Sequence, residues 1–191
     1  MANERLRPFR DYDEHDVLNL FAFGDDAVSL GTTDVVYAGS VVKIKTGWKN
    51  DDETQDMIGN VGAGYDNTVS QRWGVTAEVE YCNGGAETPL GITLFDVREY
   101  DENEEALKFN PRKQDELQAV LTGQAVPIAT KGTFLFATGA IAGGVAFAAG
   151  SSVYTSGDGQ VTPTLQGANT KIGKALGGPD SDGAVLVKLE L

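Results

Sequence analysis

Apolar and polar residues alternate most regularly at the end of the chain. Every second position there is apolar, namely Val185, Val187, Leu189 and Leu191. The intervening positions hold Leu186, Lys188 and Glu190. Because successive side chains of a strand point to opposite faces, this pattern predicts a strand over residues 185–191 whose first set of side chains packs on a core.

Similar short runs, rich in β-branched and aromatic residues, recur upstream between Gly, Pro, Asn and Asp. We predict strands over residues 28–30, 35–37, 41–45, 72–81 and 90–97. Residues 17–23 fit either a strand or a single helical turn. Many short strands with frequent turns are typical of a small barrel or sandwich. The predicted fold class is therefore mainly β, a compact antiparallel β-barrel with long loops.

One helix interrupts this pattern. Asn110 and Pro111 suit the N-cap and the first turn, and Gly123 suits the position after the end. The apolar residues at positions 117, 120 and 121 share one helical face. We predict a single short helix from Asn110 to Leu121.

The rest of the chain divides into an arm, a domain and two insertions. We predict an extended N-terminal arm over residues 1–23 and a β-rich domain over residues 24–191. Polar and charged stretches near 47–70 and 96–122 read as loop insertions in that domain, because structureless segments of this length are uncommon in compact domains.

The predicted arm carries basic and aromatic residues that a partner could bind. The candidate contact residues are Arg5, Arg7, Phe9, Arg10, Tyr12, Phe21 and Phe23. A solvated tail is the alternative interpretation, although such a tail rarely carries so many aromatic anchors. If the arm binds a partner, truncation before Asp25 weakens attachment more than it weakens folding.

Charge narrows the range of partners. The net charge is −13, which argues against binding to a phosphate backbone as the main activity. From Gly123 onward four lysines balance four carboxylates, so the first 122 residues carry the whole excess. Residues 132–157 are uncharged, yet their Gly, Ser and Thr content is too polar for a membrane span. We therefore expect a soluble protein without a signal peptide, and neither a nucleic acid nor a membrane as partner.

Residues that could carry out catalysis are sparse. The only histidine, His15, stands among carboxylates in the predicted arm, and the only cysteine, Cys82, excludes an intrachain disulfide and a thiolate zinc site. No nucleotide-binding glycine motif is present. Paired carboxylates leave a hydrolase open as the weakest alternative. We expect a protein that is not an enzyme and that binds no cofactor.

The sequence from Asp180 to Gly183 is similar to the start of a calcium loop. Position 12 of such a loop, where a calcium loop has a bidentate glutamate, is occupied by Leu191, whose side chain cannot be a ligand. A hairpin turn explains the same residues more simply. We therefore expect no metal site.

An ordered set of motifs carries a resemblance to a known family. The motifs of the last third are 123–128 (GQAVPI), 131–134 (KGTF), 150–154 (GSSVY), 159–162 (GQVT), 171–173 (KIG) and 183–189 (GAVLVKL). Upstream motifs at 38–41 (AGSV), 89–93 (PLGIT), 96–99 (DVRE) and 109–113 (FNPRK) fit the same order. Together they resemble the head decoration, or capsid cement, proteins of tailed bacteriophages over residues 28–191.

This resemblance implies a β-tulip-like fold and a structural role without cofactor or catalytic residues. It implies binding to the exterior of an assembled capsid, with the major capsid protein as partner and with a homo-oligomer, preferably a trimer, as the active form. The alternative function is a head-fibre or tail adhesin that binds host glycans. Trp48, Tyr65 and Trp73 could stack on sugars in that case.

Overall fold

The structure is a computed structural model, which describes residues 5–24, 35–47, 77–143 and 145–191. Its strands are β1 Leu6–Asp11, β2 Val17–Phe23, β3 Val41–Thr46, β4 Glu78–Tyr81, β5 Gly91–Thr93, β6 Asp96–Val97, β7 Ala119–Val120, β8 Ala125–Ala129, β9 Lys131–Phe136, β10 Ser152–Thr155, β11 Val161–Thr162, β12 Lys171–Ala175 and β13 Val185–Glu190. Within these residues the one α-helix is α1, Pro111–Glu116.

The strands form two main sheets. Six of them make an antiparallel sheet in the order β1-β9-β13-β12-β10-β11, and five close into a barrel in the order β2-β4-β3-β5-β8. Strands β6 and β7 form a separate parallel pair. The predicted mainly β class with a small barrel is confirmed, although the barrel also contains one parallel pairing, between β2 and β4.

Two hydrophobic cores lie on the two sides of the barrel strands. Val41 packs with the buried residues of the six-stranded sheet, whereas its neighbour Val42 packs inside the barrel. This difference follows from the alternation of side chains along β3. The sheet side of the first core is formed by Phe134, Phe136, Val153, Ile172, Val185, Val187 and Leu189. The alternation predicted for 185–191 is thus confirmed, because Val185, Val187 and Leu189 are buried.

A long ribbon joins the two sheets. Strands β1 and β2 run antiparallel to β9 and β8, so that Leu6 lies opposite Phe136 and Val17 lies opposite Ala129. At the junction, the backbone N–H and the hydroxyl of Thr130 both donate to the carbonyl oxygen of Asp16, at 2.9 and 3.0 Å. Residues 6–11 and 17–23 of the predicted arm therefore lie in paired strands. This pairing favours a role of residues 1–23 in folding, and the prediction that they serve attachment more than folding is left to the truncation experiment.

The helix is shorter than predicted. The side chain of Asn110 accepts a hydrogen bond from the Lys113 N–H, as an N-cap residue does. The chain leaves the helix after Glu116 because Gln118 takes a left-handed φ of 49°. Residues 119–120 then pair with β6. The prediction of helix as far as Leu121 was wrong, since the apolar positions after Gln118 are buried by strand pairing and by the turn that follows.

Several predicted features lie outside the described residues. These are the strand at 28–30, nearly all of the insertion at 47–70, and the first five residues of the strand at 72–81. Within the described ranges, no helix has the length and apolar character needed to cross a bilayer.

Candidate functional site

The seven candidate residues of the N-terminal segment separate into three groups. Phe21 and Phe23 are only 7% and 4% exposed and belong to the core inside the barrel. The Phe23 ring meets Tyr81 edge to face, with ring centroids 5.0 Å apart. Burial of this kind stabilises the barrel strands. In this structure the two rings are not accessible to a partner.

Arg5 and Arg10 bind other parts of the chain. Arg5 donates to the Asp158 carbonyl oxygen at 2.7 Å and to the Ser40 hydroxyl at 3.1 Å. Arg10 donates to the Leu94 carbonyl oxygen at 2.8 Å. Burial lowers the pKa of the Arg10 guanidinium. Both side chains therefore fix the N-terminal strand against the rest of the fold.

Phe9, Tyr12 and Arg7 stay accessible. Phe9 is 53% exposed and Tyr12 is 40% exposed. The Tyr12 ring stacks on Phe134 with centroids 5.8 Å apart. Arg7 reaches Asp182 at 3.8 Å. These three residues are the members of the candidate set that a partner can contact without rearrangement of the fold.

Tyr12 can approach β9 because residue 132 is glycine. A Cβ atom at Gly132 would lie 2.8 Å from the Tyr12 Cβ and 2.7 Å from the Asp11 carbonyl oxygen. Its φ of +138° is also one that other residues rarely adopt. Close packing against Asp11 and Tyr12 thus explains why the motif at 131–134 has glycine at position 132.

The Asp180 turn has the geometry of a hairpin turn. The Oδ1 atom of Asp180 accepts the backbone N–H groups of Asp182 and Ala184 at 2.9 and 2.8 Å. This carboxylate oxygen is therefore occupied in capping the turn before β13. In the described ranges, no group of three or more His, Cys, Asp or Glu side chains is placed to hold a metal ion.

The only cysteine and the only histidine of the chain lie in environments that do not activate them as a nucleophile and a base. Cys82 is fully buried, and burial raises the pKa of its thiol. A raised pKa leaves less thiolate to act as a nucleophile. His15 lies exposed in the 3₁₀ turn Glu14–Asp16. Nothing in these placements supports catalysis.

Trp48, Tyr65 and Trp73, which the adhesin hypothesis needs, lie outside the described residues.

Sequence reasoning did not single out the outer sheet face, which we define as the face of the six-stranded sheet that points away from the core. It carries an apolar row, Phe9, Leu135, Leu176 and Leu186. It also carries a lysine group, Lys131, Lys171, Lys174 and Lys188. The available signal was that these four lysines are all the basic residues that follow Gly123.

Comparison with known proteins bears on this sheet. A family model described as phage cement protein matches residues 117–191, which is less than half of the chain. No curated protein and no solved structure was found to match. The matched residues supply β8 of the barrel and five of the six strands of the antiparallel sheet, β9 to β13. The upstream motifs at 38–41, 89–93, 96–99 and 109–113 lie outside this match. Over residues 117–191 the chain resembles the phage cement proteins, as the motifs of its last third predicted.

Proposed function

We propose that this protein is a structural component of a phage virion that binds the outer surface of the assembled capsid and stabilises it. The observation that carries this proposal is the match of residues 117–191 to the phage cement family. The match covers most of one sheet, because β9 to β13 follow one another along the chain and all belong to the six-stranded sheet. The partner under this proposal is the major capsid protein.

The chemistry of the described residues supports a binding role. The only His and the only Cys are placed away from any catalytic arrangement, as described above. A cement protein needs only a rigid body and a surface that recognises the shell. Many copies on one shell add their contributions, so that a modest gain per copy stabilises the whole particle.

The N-terminal segment contributes to attachment in this proposal through its accessible residues. Arg7, Phe9 and Tyr12 flank the edge of the six-stranded sheet, where β1 is the last strand. Self-association belongs to the same proposal, with a trimer as the preferred state on the capsid. Sedimentation velocity of the isolated protein measures whether this state already forms in solution.

The test uses phage heads that lack this protein. We expect the purified protein to sediment with such heads to saturation and to raise the temperature at which they release DNA. Unassembled capsid protein serves as the control, and we expect weaker binding to it than to heads. Failure to bind heads, or binding to tails alone, would contradict the proposed function.

A further inference from the structure

The outer sheet face has a composition that an exposed sheet face ordinarily lacks. An antiparallel sheet with one face on a core commonly has polar residues on the other face. Here the apolar row crosses the sheet instead. Leu135 and Leu186 lie directly opposite each other on β9 and β13.

The row extends to the strands on either side. The N–H of Leu176 donates to the Leu186 carbonyl oxygen at 2.8 Å, which places Leu176 beside Leu186 at the end of β12. Phe9 lies at the other end, on β1. Leu176 and Phe9 are 49% and 53% exposed, whereas Leu135 and Leu186 between them are half-buried. Four neighbouring strands thus present a continuous line of large apolar side chains.

The lysine group borders this row. Lys174 and Lys188 lie directly opposite each other, two residues along their strands from Leu176 and Leu186. A β-bulge in β12 places Lys171 opposite Tyr154 and so brings it to the same face as Lys174. Lys131 lies opposite Glu190. All four lysines are exposed.

Glu190 compensates the positive charge of this lysine group only in part. Like charges directly opposite each other on a sheet are destabilising. Lys188 forms an ion pair with Glu190 at 2.8 Å. Within the part of the chain that the structure describes, no carboxylate forms an ion pair with Lys131, Lys171 or Lys174. The chain has 28 carboxylate residues and 15 lysines and arginines. A group of lysines without ion-pair partners on one face is therefore unexpected in so acidic a protein.

We propose that the outer sheet face is the docking surface for the capsid shell, and that it fits a protein surface with an apolar centre bordered by carboxylates. The proposal rests on the proposed function and deepens it, since it assigns the contact face and the chemistry of the partner. Charge complementarity carries the choice of partner, because the face presents four lysines against Asp11 and Glu190 in a protein of net charge −13.

The two features of the face have separate roles in docking. Removal of the apolar row from water supplies the driving force for association. The lysines orient the protein and accelerate its encounter with an acidic surface, and salt weakens this effect. In this arrangement the barrel side of the molecule points away from the shell.

The experiment compares face variants with matched variants elsewhere, using heads that lack the protein. The lysine variant is K171Q/K174Q/K188Q, and its control N19D/N103D/Q166E changes the net charge by the same amount at exposed positions. The apolar variant is F9S/L176S. Its control, F109S/L165S, removes side chains that are 64% and 59% exposed elsewhere.

We expect both face variants to bind heads at least tenfold more weakly than the wild type, and both controls to bind within twofold of it. The lysine variant should also lose most of the salt dependence of binding between 50 and 300 mM NaCl. Circular dichroism and the melting temperature of each variant establish that it is folded.

Three results would overturn the proposal. Wild-type binding by both face variants would show that another surface docks while the proposed function stands. Altered sedimentation of the isolated face variants would identify a second copy of this chain as the occupant. Absence of wild-type binding would remove the proposed function, and this inference with it.

Discussion

The six-stranded sheet and the barrel use their faces in different ways. The barrel closes on itself and fills its interior with buried side chains such as Phe21, Val79 and Ile128. The six-stranded sheet buries only one face and leaves the other exposed with an apolar row and a lysine group. The barrel and the inner face of the sheet therefore account for stability, whereas the outer sheet face has features that folding alone does not require.

The largest expected loss of stability comes from removing residues 1–23. Truncation deletes β1 and β2, opens the barrel, and exposes the surfaces that Leu6, Phe21 and Phe23 cover. Burial of each such side chain contributes about 1.5–3 kcal/mol, and a whole domain is stable by only about 5–15 kcal/mol. We expect the truncated protein to be unfolded or to melt more than about 10 °C lower.

A matched variant separates folding from attachment in this segment. The substitutions F9S and Y12S remove exposed or half-exposed rings but leave both strands intact. We expect their melting temperature to stay close to that of the wild type. If truncation leaves the melting temperature unchanged, residues 1–23 form the separate arm that the sequence predicts, and the barrel does not depend on β2.

The next largest effect compares the two cores directly. Phe134 is fully buried between sheet and barrel, and Phe23 is 4% exposed inside the barrel. We expect Phe134→Ala and Phe23→Ala each to lower the free energy of unfolding by about 3–5 kcal/mol in urea denaturation. The exposed Leu165→Ala serves as control and should change it by less than about 0.5 kcal/mol.

The same experiment shows whether the cores unfold together. The ribbon of β1–β2 and β8–β9 runs through both sheets, so we expect a single cooperative transition for both variants. Two transitions, with Phe134→Ala moving only one of them, would show that the sheet and the barrel are separate folding units.

A smaller change in stability is expected from substitution of Asp96, on β6. Burial raises the pKa of its carboxyl above the ordinary 3.8, although a hydrogen bond from the Ala38 N–H at 2.8 Å opposes this shift. The folded state therefore holds the proton more tightly than the unfolded state. Stability falls as pH rises from the ordinary pKa through the raised one.

Asp96→Asn removes the charge and keeps an oxygen for the Ala38 N–H. We expect this variant to melt at a higher temperature than the wild type at pH 7, and the gain to shrink below about pH 4, where Asp96 is protonated in both states. The exposed Asp158→Asn should give no comparable gain. A lower melting temperature for Asp96→Asn at pH 7 would mean that its charge is needed by Arg98 or Arg10.

The smallest effect is expected from chelation. The Oδ1 atom of Asp180 caps its own turn with two backbone N–H groups. We expect EDTA to leave the melting temperature unchanged, as measured by calorimetry with and without added calcium. A drop of several degrees that calcium reverses would place a metal in the fold.

The sequence predicted the elements that depend on local pattern. Alternation identified β13 and the faces of its residues, and Asn110-Pro111 identified the start of α1. The end of α1 was missed because Gln118, not a glycine, takes the left-handed conformation. No rule of residue spacing predicts that a glutamine takes this conformation.

The candidate docking face could not be predicted because it depends on strand register. Alternation along β12 puts Lys171 and Lys174, which are three residues apart, on opposite faces. The β-bulge against β10 brings them to the same face. Likewise, the arm hypothesis started from aromatic residues that no local pattern buries, and the structure buries Phe21 and Phe23 against distant strands.

The most direct test of the central claim is a cryo-electron microscopy reconstruction of heads to which the purified protein has been added. We expect density for the protein on the outside of the shell, with β9, β12 and β13 nearest to it and the barrel facing solvent. Density inside the shell or only on the tail would contradict the proposed function. Density outside the shell with the barrel against it would contradict the assigned docking face alone.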